Sequence, residues 1–228
     1  MNRPYVTLFM MMSADGKIST GSSDELDVDR DFPQIEGVRE GLHQYYEIEQ
    51  TTDLWSINSG RVLAKIGVNE SPAPAKTPVS FVAIDNTHLT KQGIRHMCAK
   101  SARFVLVTSN KTHPAFSLAD SLDNLSIIDQ ERLNLGEMLE ILKNEFGCER
   151  ITLQTGGTLN GLFLREKLID AIDIVIAPVL IGGKDTASLI DGVSLGSRNE
   201  LNQLGVLKLE RCEMLEDSYI RLRYSVIS

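Results

Sequence analysis

The 228-residue sequence has few cysteines and no concentration of positive charge. Its cysteines, Cys98, Cys148 and Cys212, are far apart and form neither a C-x-x-C pair nor a cluster with histidine. This argues against a disulfide framework and a zinc site, and it predicts reduced thiols in the cytoplasm. The formal net charge is −8 and no basic block offsets it. Neither nucleic acid nor an anionic membrane is therefore expected as the main partner.

Long hydrophobic runs and several signature motifs are also missing. The apolar run around Met10-Met11-Met12 is too short to cross a bilayer, and no basic region of the kind that starts a secretory signal precedes it. The zinc signature of nucleobase deaminases, H-x-E followed by P-C-x-x-C, does not occur. The dinucleotide fingerprint G-x-G-x-x-G is absent as well. The chain is therefore not expected to deaminate a base by zinc chemistry.

Three of the four histidines, His43, His96 and His113, have no partner at metal-ligand spacing. We interpret them as surface or helix-face residues, and no metal site is expected. Trp55 and the pair Tyr45-Tyr46 are interpreted as core residues, with a stacking surface for a heterocycle as the alternative.

Strand-like and helix-like patterns alternate along the chain, which is typical of α/β proteins. The predicted strands are Tyr5–Met12, Leu54–Ile57, Val79–Ile84, Phe104–Val107, Ser126–Ile128, Ile151–Leu153 and Ile172–Ile181, the last interrupted by Pro178. The predicted helical segments are Ile35–Ile48, a turn over Val62–Ile66, the apolar stripe Leu135–Phe146 and a helix that opens at Thr158.

The C-terminal part changes character. Gly205–Glu213 and Tyr219–Val226 alternate like an antiparallel hairpin. The patterns together predict a mostly parallel central sheet with helices on both faces and this hairpin at its end. The proline-containing stretch Asn69–Pro78 is too short to divide two domains, so we expect a single domain over residues 1–228.

A pair of glycines joins a predicted strand to a predicted helix. In this position glycines let a ligand approach the main chain, while the first N–H groups of the helix and its dipole favour negative charge. We expect phosphate groups of a ligand to lie over Gly156, Gly157, Thr158, Leu159 and Asn160. Gly157→Asp is then expected to weaken ligand binding with the fold retained. An ordinary tight connection is the alternative interpretation.

Four sequence blocks resemble one family. They are Arg3-Pro4-Tyr5-Val6 with Ser13-Ala14-Asp15-Gly16-Lys17-Ile18, then Gln154–Asn160, Leu168-Ile169-Asp170 and Ile176–Gly183. In this order, and spanning nearly the whole chain, they resemble reductase domains of riboflavin biosynthesis, which have the dihydrofolate-reductase fold. The resemblance implies an NADPH-dependent reductase, commonly a homodimer. Its hydride acceptor would be an aminopyrimidine ribosylamine phosphate, as in 5-amino-6-(5-phosphoribosylamino)uracil reductases.

The resemblance also implies where the cofactor binds. Besides the glycine block, candidate cofactor residues follow three predicted strands, at the edge where open α/β sheets bind ligands. These are Ser59, Gly60, Asn86 and Ser109. Asn86 and His88 are placed to donate to a 2′-phosphate, with an ordinary turn as the alternative. The choice of NADPH over NADH rests on the resemblance alone.

Catalytic and substrate residues are fewer. Asp15 matches the family's aspartate and is the candidate catalytic residue, with a turn partner for Gly16 as the alternative. Lys17, Arg39 and Gln154 are the candidate substrate residues, and a solvated side chain is the alternative for Lys17.

The substrate side departs from the family. Phe9 stands where the family has a lysine, Gln154 where it has a glutamate, and Ala64–Asn69 replaces an acidic, proline-containing element. Two alternatives therefore stay open. One is the same fold acting on dihydrofolate, another pterin or a small imine, and the other is a nucleotide-binding paralogue without turnover.

Overall fold

The computed structural model describes residues 2–72 and 75–227, so Pro74 of the proline-containing stretch lies outside the described residues. The strands are β1 (Tyr5–Ser13), β2 (Trp55–Ser59), β3 (Ser80–Ile84), β4 (Phe104–Thr108), β5 (Leu125–Asp129), β6 (Arg150–Leu153), β7 (Ala171–Ala177), β8 (Leu207–Met214) and β9 (Ile220–Val226). The α-helices are α1 (Val28–Asp31), α2 (His43–Glu49), α3 (Gly60–Lys65), α4 (Lys91–Lys100), α5 (Leu135–Phe146) and α6 (Gly157–Arg165). Shorter 3₁₀ segments cover Phe32–Gln34, Pro114–Ser121, Arg198–Gln203 and Glu216–Ser218.

The chain divides into two compact units. Unit 1 contains Met1–Tyr5 and Asp53–Thr155, and unit 2 contains Val6–Thr52 and Gly156–Ser228. The single domain over residues 1–228 stays a prediction. In the described part of the chain, no helix has the length and apolar character needed to cross a membrane.

Unit 1 is built on five parallel strands in the order β5-β4-β3-β2-β6. All five side chains of β4 are buried, as expected for a parallel strand covered on both faces. Helix α5 begins at its N-cap Asn134, whose side chain accepts from the Glu137 N–H, and ends at Gly147 in the left-handed conformation. Its apolar stripe lies on the buried side, as the sequence predicts.

Unit 2 combines one parallel and two antiparallel strand pairs. Strand β1 pairs in parallel with β7, β7 pairs antiparallel with β9, and β9 pairs antiparallel with β8. The predicted α/β class, with mostly parallel strands and an antiparallel C-terminal hairpin, is confirmed. Strand β7 ends at Ala177 because Pro178 has no N–H to donate to a neighbouring strand.

The predicted helix over Ile35–Ile48 is wrong in its first half. Residues 35–42 form turns, and only His43–Glu49 is helical. Gly37 adopts a positive φ of 84°, which ends a helix. The Val38 carbonyl accepts a hydrogen bond from the buried Tyr219 hydroxyl at 2.7 Å. In a helix this carbonyl would accept from a main-chain N–H instead.

Candidate active site

The carboxyl ends of three neighbouring parallel strands in unit 1 carry the predicted cofactor residues. Ser59 is the N-cap of α3, and its Oγ accepts from the Val62 N–H at 3.2 Å. The Asn86 Oδ1 accepts from the Ser109 N–H at 2.9 Å. Asn86 therefore ties the end of β3 to the end of β4. The structure brings Ser59, Gly60, Asn86 and Ser109 to one edge of the unit 1 sheet, as predicted.

Asp85 organises this edge from below the surface. Its fully buried carboxylate accepts from the Leu89 N–H at 2.8 Å, from His113 Nε2 at 3.0 Å and from His88 Nδ1 at 2.9 Å. Burial by itself would raise the pKa of Asp85, but these hydrogen bonds hold the pKa below its usual value. A Cβ on Gly60 would lie 2.2 Å from the Asp85 Cγ. The start of α3 packs directly on this carboxylate, which leaves no space for a side chain at Gly60.

Two of the histidines, His113 and His96, are buried. His113 is buried against Asp85, and its Nδ1 accepts from the Ala115 N–H at 3.2 Å. His96 is also buried, and its Nδ1 lies 3.1 Å from the Ser71 carbonyl oxygen. The interpretation as a surface or helix-face residue is therefore wrong for His113, whose partner Asp85 is distant in sequence. His96 is a helix-face residue, on the buried side of α4.

Gln154 also belongs to unit 1. Its Oε1 accepts from the Ser56 hydroxyl at 3.0 Å, and its main-chain N–H donates to the Ile57 carbonyl at 2.9 Å. The side chain is half-buried beside β2. Its hydrogen-bonding group is therefore oriented by the strand next to it.

In unit 2, the two glycines of the block have different surroundings. Gly156 is the N-cap of α6, and a Cβ built on it would meet no atom within 4 Å. A Cβ on Gly157 would lie 2.2 Å from the Ser188 carbonyl oxygen and 2.4 Å from the Asp191 Oδ2. The expectation that Gly157→Asp leaves the fold intact is therefore wrong, because backbone of another segment occupies that space.

Further along α6, Asn160 and Gly161 also pack against the segment that covers Gly157. The buried Asn160 donates through Nδ2 to the Leu189 carbonyl at 2.9 Å, and a Cβ on Gly161 would lie 2.0 Å from the Asp191 carbonyl oxygen. Thr158 is exposed and Leu159 is half-buried. One side of the first turn of α6 is thus covered by residues 188–191, while Gly156 and Thr158 stay open.

Asp15 holds two loops of unit 2 together. Its exposed carboxylate accepts from the Ser13 hydroxyl at 2.5 Å, the Ile181 N–H at 3.1 Å and the Gly182 N–H at 2.6 Å. These hydrogen bonds, the one from Ser13 first, lower the pKa of Asp15 from 3.8 to about 2. Asp15 is therefore an anion at neutral pH and orders the loop after β1.

Asp15 is expected to make folding stability depend on acid pH. A pKa that is lower in the folded chain, about 2 against about 3.9 for an unfolded aspartate, gives stability that is present above about pH 4 and lost as the pH falls towards 2. Urea denaturation of wild type and Asp15→Asn across this window measures it. The free energy of unfolding should fall less steeply in the variant, and equal slopes would contradict this role of Asp15.

The two basic candidate substrate residues, Lys17 and Arg39, have different surroundings. Lys17 Nζ donates to the Thr186 carbonyl at 2.9 Å and to the Ser188 Oγ at 3.2 Å. Lys17 is therefore tied to the same segment that packs on α6. Arg39 is about half exposed and pairs with its neighbour Glu40 at 2.9 Å. Such an exposed pair contributes little stability.

Phe9 explains one departure from the family. Its side chain is fully buried and stacks on Tyr45 with ring centroids 5.1 Å apart. The position therefore belongs to the core of unit 2. The interpretation of Tyr45 as a core residue is confirmed by its burial.

Sequence reasoning missed the segment from Thr186 to Asp191. Its Ser188 N–H donates to the Asp191 Oδ2 at 3.0 Å, and its Asp191 N–H donates to the Gly157 carbonyl at 2.9 Å. The Asp191-Gly192 pair, a common turn signal, was the one local indication that this segment folds into a tight structure.

Comparison with known proteins decides the family. A family described as the RibD C-terminal domain matches residues 4–213. The chain belongs to this family. A 2,5-diamino-6-ribosylamino-4(3H)-pyrimidinone 5′-phosphate reductase of Methanothermobacter thermautotrophicus is 28% identical over 98% of this chain and 99% of its own length. The riboflavin biosynthesis protein RibD of Actinobacillus pleuropneumoniae is 28% identical over 99% of this chain, which spans 58% of that relative.

Solved structures of similar proteins share the fold. RibD of Acinetobacter baumannii superposes with a TM-score of 0.70 at 19% identity, covering 100% of this chain and 59% of its own. A pyrimidine reductase-like protein of Corynebacterium diphtheriae gives a TM-score of 0.66 at 13% identity, with 93% of that chain covered. The predicted dihydrofolate-reductase-like fold is confirmed.

Proposed function

We propose that this member of the RibD C-terminal domain family is an oxidoreductase of riboflavin biosynthesis. It reduces the sugar of an aminopyrimidine ribosylamino 5′-phosphate to a ribityl chain. The observation that carries the proposal is the match to reductases over nearly the whole of both chains. The glycine block and the loop built around Asp15 support it, because each is structurally ordered in unit 2.

NADPH is the proposed hydride donor. When bound, a reduced nicotinamide supplies the hydride, and the acceptor nitrogen takes a proton. The residues present fit such a cofactor. Within unit 2, the open N-cap at Gly156 leaves room at the first turn of α6 for a phosphate. Within unit 1, taken by itself, Ser59, Asn86 and Ser109 lie at the carboxyl edge of the sheet. His88, oriented by Asp85 and partly exposed, is the candidate hydrogen-bond donor for a 2′-phosphate.

Two residues of unit 2, Asp15 and Lys17, are assigned to positioning the substrate, and Asp15 is not the proton donor. Asp15 is ionised at neutral pH, so we assign it to ordering the loop and to accepting hydrogen bonds. The proton that the reduced imine nitrogen requires comes from solvent in this account. Lys17 supplies positive charge beside Ser188, which favours a phosphorylated substrate.

The acceptor proposed is the 2,5-diamino-pyrimidinone form. Three relatives that bear this name are matched over 84–99% of their own length. The 5-amino-uracil form is the alternative, because the chain also matches RibD proteins. Homodimer formation and a cytoplasmic location are proposed as well, the latter supported by three free cysteines.

A steady-state assay of NADPH oxidation tests the acceptor. We expect kcat/KM of roughly 10⁴ M⁻¹s⁻¹ or better with the diamino-pyrimidinone substrate, and at least about 100-fold less with dihydrofolate, a difference of about 2.7 kcal/mol. Faster turnover of the amino-uracil form would move the acceptor to the alternative. Preference for dihydrofolate or a simple imine would overturn the substrate class. NADPH binding without oxidation of any acceptor would favour a non-catalytic paralogue.

A further inference from the structure

A short segment of unit 2, residues 186–191, joins the start of α6 to the loop after β1. We call this segment the strap. All of its residues are described by the structure, and none of them belongs to a helix or a strand. Ser188 forms an isolated antiparallel bridge with Lys17. The order of the strap therefore depends on hydrogen bonds to the elements on either side of it.

Leu189 connects the strap to both of these elements through its main chain. Its N–H donates to the Gly16 carbonyl at 3.0 Å, and its carbonyl accepts from Asn160 Nδ2 at 2.9 Å. Asn160 lies on α6 and is completely buried. A hydrogen bond made by a buried side chain is unfavourable to break. Asn160 therefore holds Leu189, and with it the middle of the strap, in place.

The strap in turn holds Lys17. The Lys17 Nζ donates to the Thr186 carbonyl at 2.9 Å and to the Ser188 Oγ at 3.2 Å. The next residue, Ile18, donates its N–H to the Ala187 carbonyl at 3.0 Å. The side chain of Lys17 is partly exposed, so its ammonium group is both accessible and directed by the strap.

We propose that Asn160 is a positioning residue for the substrate. Asn160 fixes Leu189, the strap fixes Lys17, and Lys17 is thereby oriented for a phosphorylated substrate. The inference rests on the proposed function for the identity of that substrate. It gives Asn160 a different role from the cofactor contact that the sequence suggested, because its buried amide is used to support the strap.

The variant Asn160→Ala separates these two roles. Without the amide the strap and Lys17 are held less firmly, so KM for the diamino-pyrimidinone substrate should rise at least about tenfold, with kcat changed less than about threefold. The dissociation constant of NADPH, measured by fluorescence titration, should stay within about threefold of the wild-type value. An unchanged substrate KM, or weaker binding of NADPH alone, would overturn the proposal.

Lys17→Met carries the test to the other end of the strap. Methionine keeps an unbranched side chain and removes the ammonium group. If Asn160 acts through Lys17, the double variant Asn160→Ala/Lys17→Met should have a substrate KM within about twofold of that of Lys17→Met alone, because the group that Asn160 positions is already gone. Effects of the two substitutions that multiply would show that they act independently, which contradicts the proposal.

Asn124→Ala is the matched control. The Asn124 Nδ2 also supports main-chain carbonyls, those of Cys98 at 2.8 Å and Ser101 at 3.1 Å, and these residues lie in unit 1. This variant is expected to lose stability as Asn160→Ala does, because each loses an amide that holds main chain. Its substrate KM should stay at the wild-type value. An equal rise of KM in both variants would trace the effect to lost stability and would contradict a positioning role.

Hydrogen exchange measured by NMR follows the strap without any substrate. The Ile18 and Leu189 N–H groups are both bonded between the strap and the loop after β1. In Asn160→Ala they should exchange at least about tenfold faster than in wild type, while the Leu139 N–H within α5 keeps its rate. Unchanged exchange would overturn the proposal even in an active reductase. Faster exchange in the variant, with a wild type that reduces no acceptor, would support the link through the strap and overturn only the proposed function.

Discussion

Asp85→Ala is expected to lower the free energy of unfolding by about 3–5 kcal/mol, the usual cost of removing one partner from a buried charged network. The variant leaves the His113 Nε2 and the Leu89 N–H buried without their acceptor. Each lost partner costs about 1–3 kcal/mol. Because α3 starts against this carboxylate at Gly60, we expect the carboxyl edge of unit 1 to loosen as well. Urea denaturation measures the change.

Asp129→Ala is the control for Asp85→Ala. Asp129 pairs with Lys111 at 2.5 Å, but both side chains are substantially exposed. An exposed ion pair contributes about 0–1 kcal/mol, so this variant should unfold almost like wild type. A loss under about 1 kcal/mol in Asp85→Ala, comparable to the control, would show that Asp85 does not organise the edge.

The two glycines at the start of α6, the N-cap Gly156 and the first helical residue Gly157, are expected to respond differently to substitution. Gly157→Ala should lower the free energy of unfolding by about 1–3 kcal/mol through overpacking, because its Cβ would meet the Ser188 carbonyl oxygen at 2.2 Å. Gly156→Asp should leave stability unchanged or higher, because aspartate is a favourable N-cap. Its carboxylate would take the N–H groups that a phosphate needs. We expect NADPH affinity to fall at least tenfold, about 1.4 kcal/mol.

Gly156→Ala separates the two effects. Alanine has space there and brings no carboxylate, so both stability and NADPH affinity should stay near the wild-type values. Fluorescence titration with NADPH gives the affinities, and urea denaturation gives the stabilities. Unchanged affinity in a folded Gly156→Asp protein would remove the phosphate from the first turn of α6.

Local sequence patterns predict most strands of this fold. Apolar runs such as Phe104–Val107 and the stripe of α5 depend on burial within one element, so periodicity reveals them. Helix α4, Lys91–Lys100, was missed because its sequence has few strongly apolar residues and contains a glycine. The first half of Ile35–Ile48 was misassigned because the Val38 carbonyl accepts a hydrogen bond from Tyr219, which is distant in sequence.

The candidate site is also predicted only in part, because local patterns show where strands end but not which distant segments pack together. Ser59, Asn86 and Ser109 follow strands, so their shared edge follows from the parallel order. The packing of Ser188 and Asp191 against Gly157 depends on residues more than thirty positions away. A sequence pattern shows that a glycine is present, but it does not distinguish a glycine open to a ligand from one that another segment covers.

Transfer of a labelled hydride tests the proposed function most directly. NADPH carrying deuterium at either of the two reduced C4 positions is incubated with the diamino-pyrimidinone ribosylamino phosphate, and the product is examined by mass spectrometry. We predict that one of the two labelled cofactors gives a ribitylamino product with one deuterium on the former sugar carbonyl carbon. A product formed without deuterium from either cofactor, or no reduced product at all, would contradict the assignment of this chain as a reductase of that substrate.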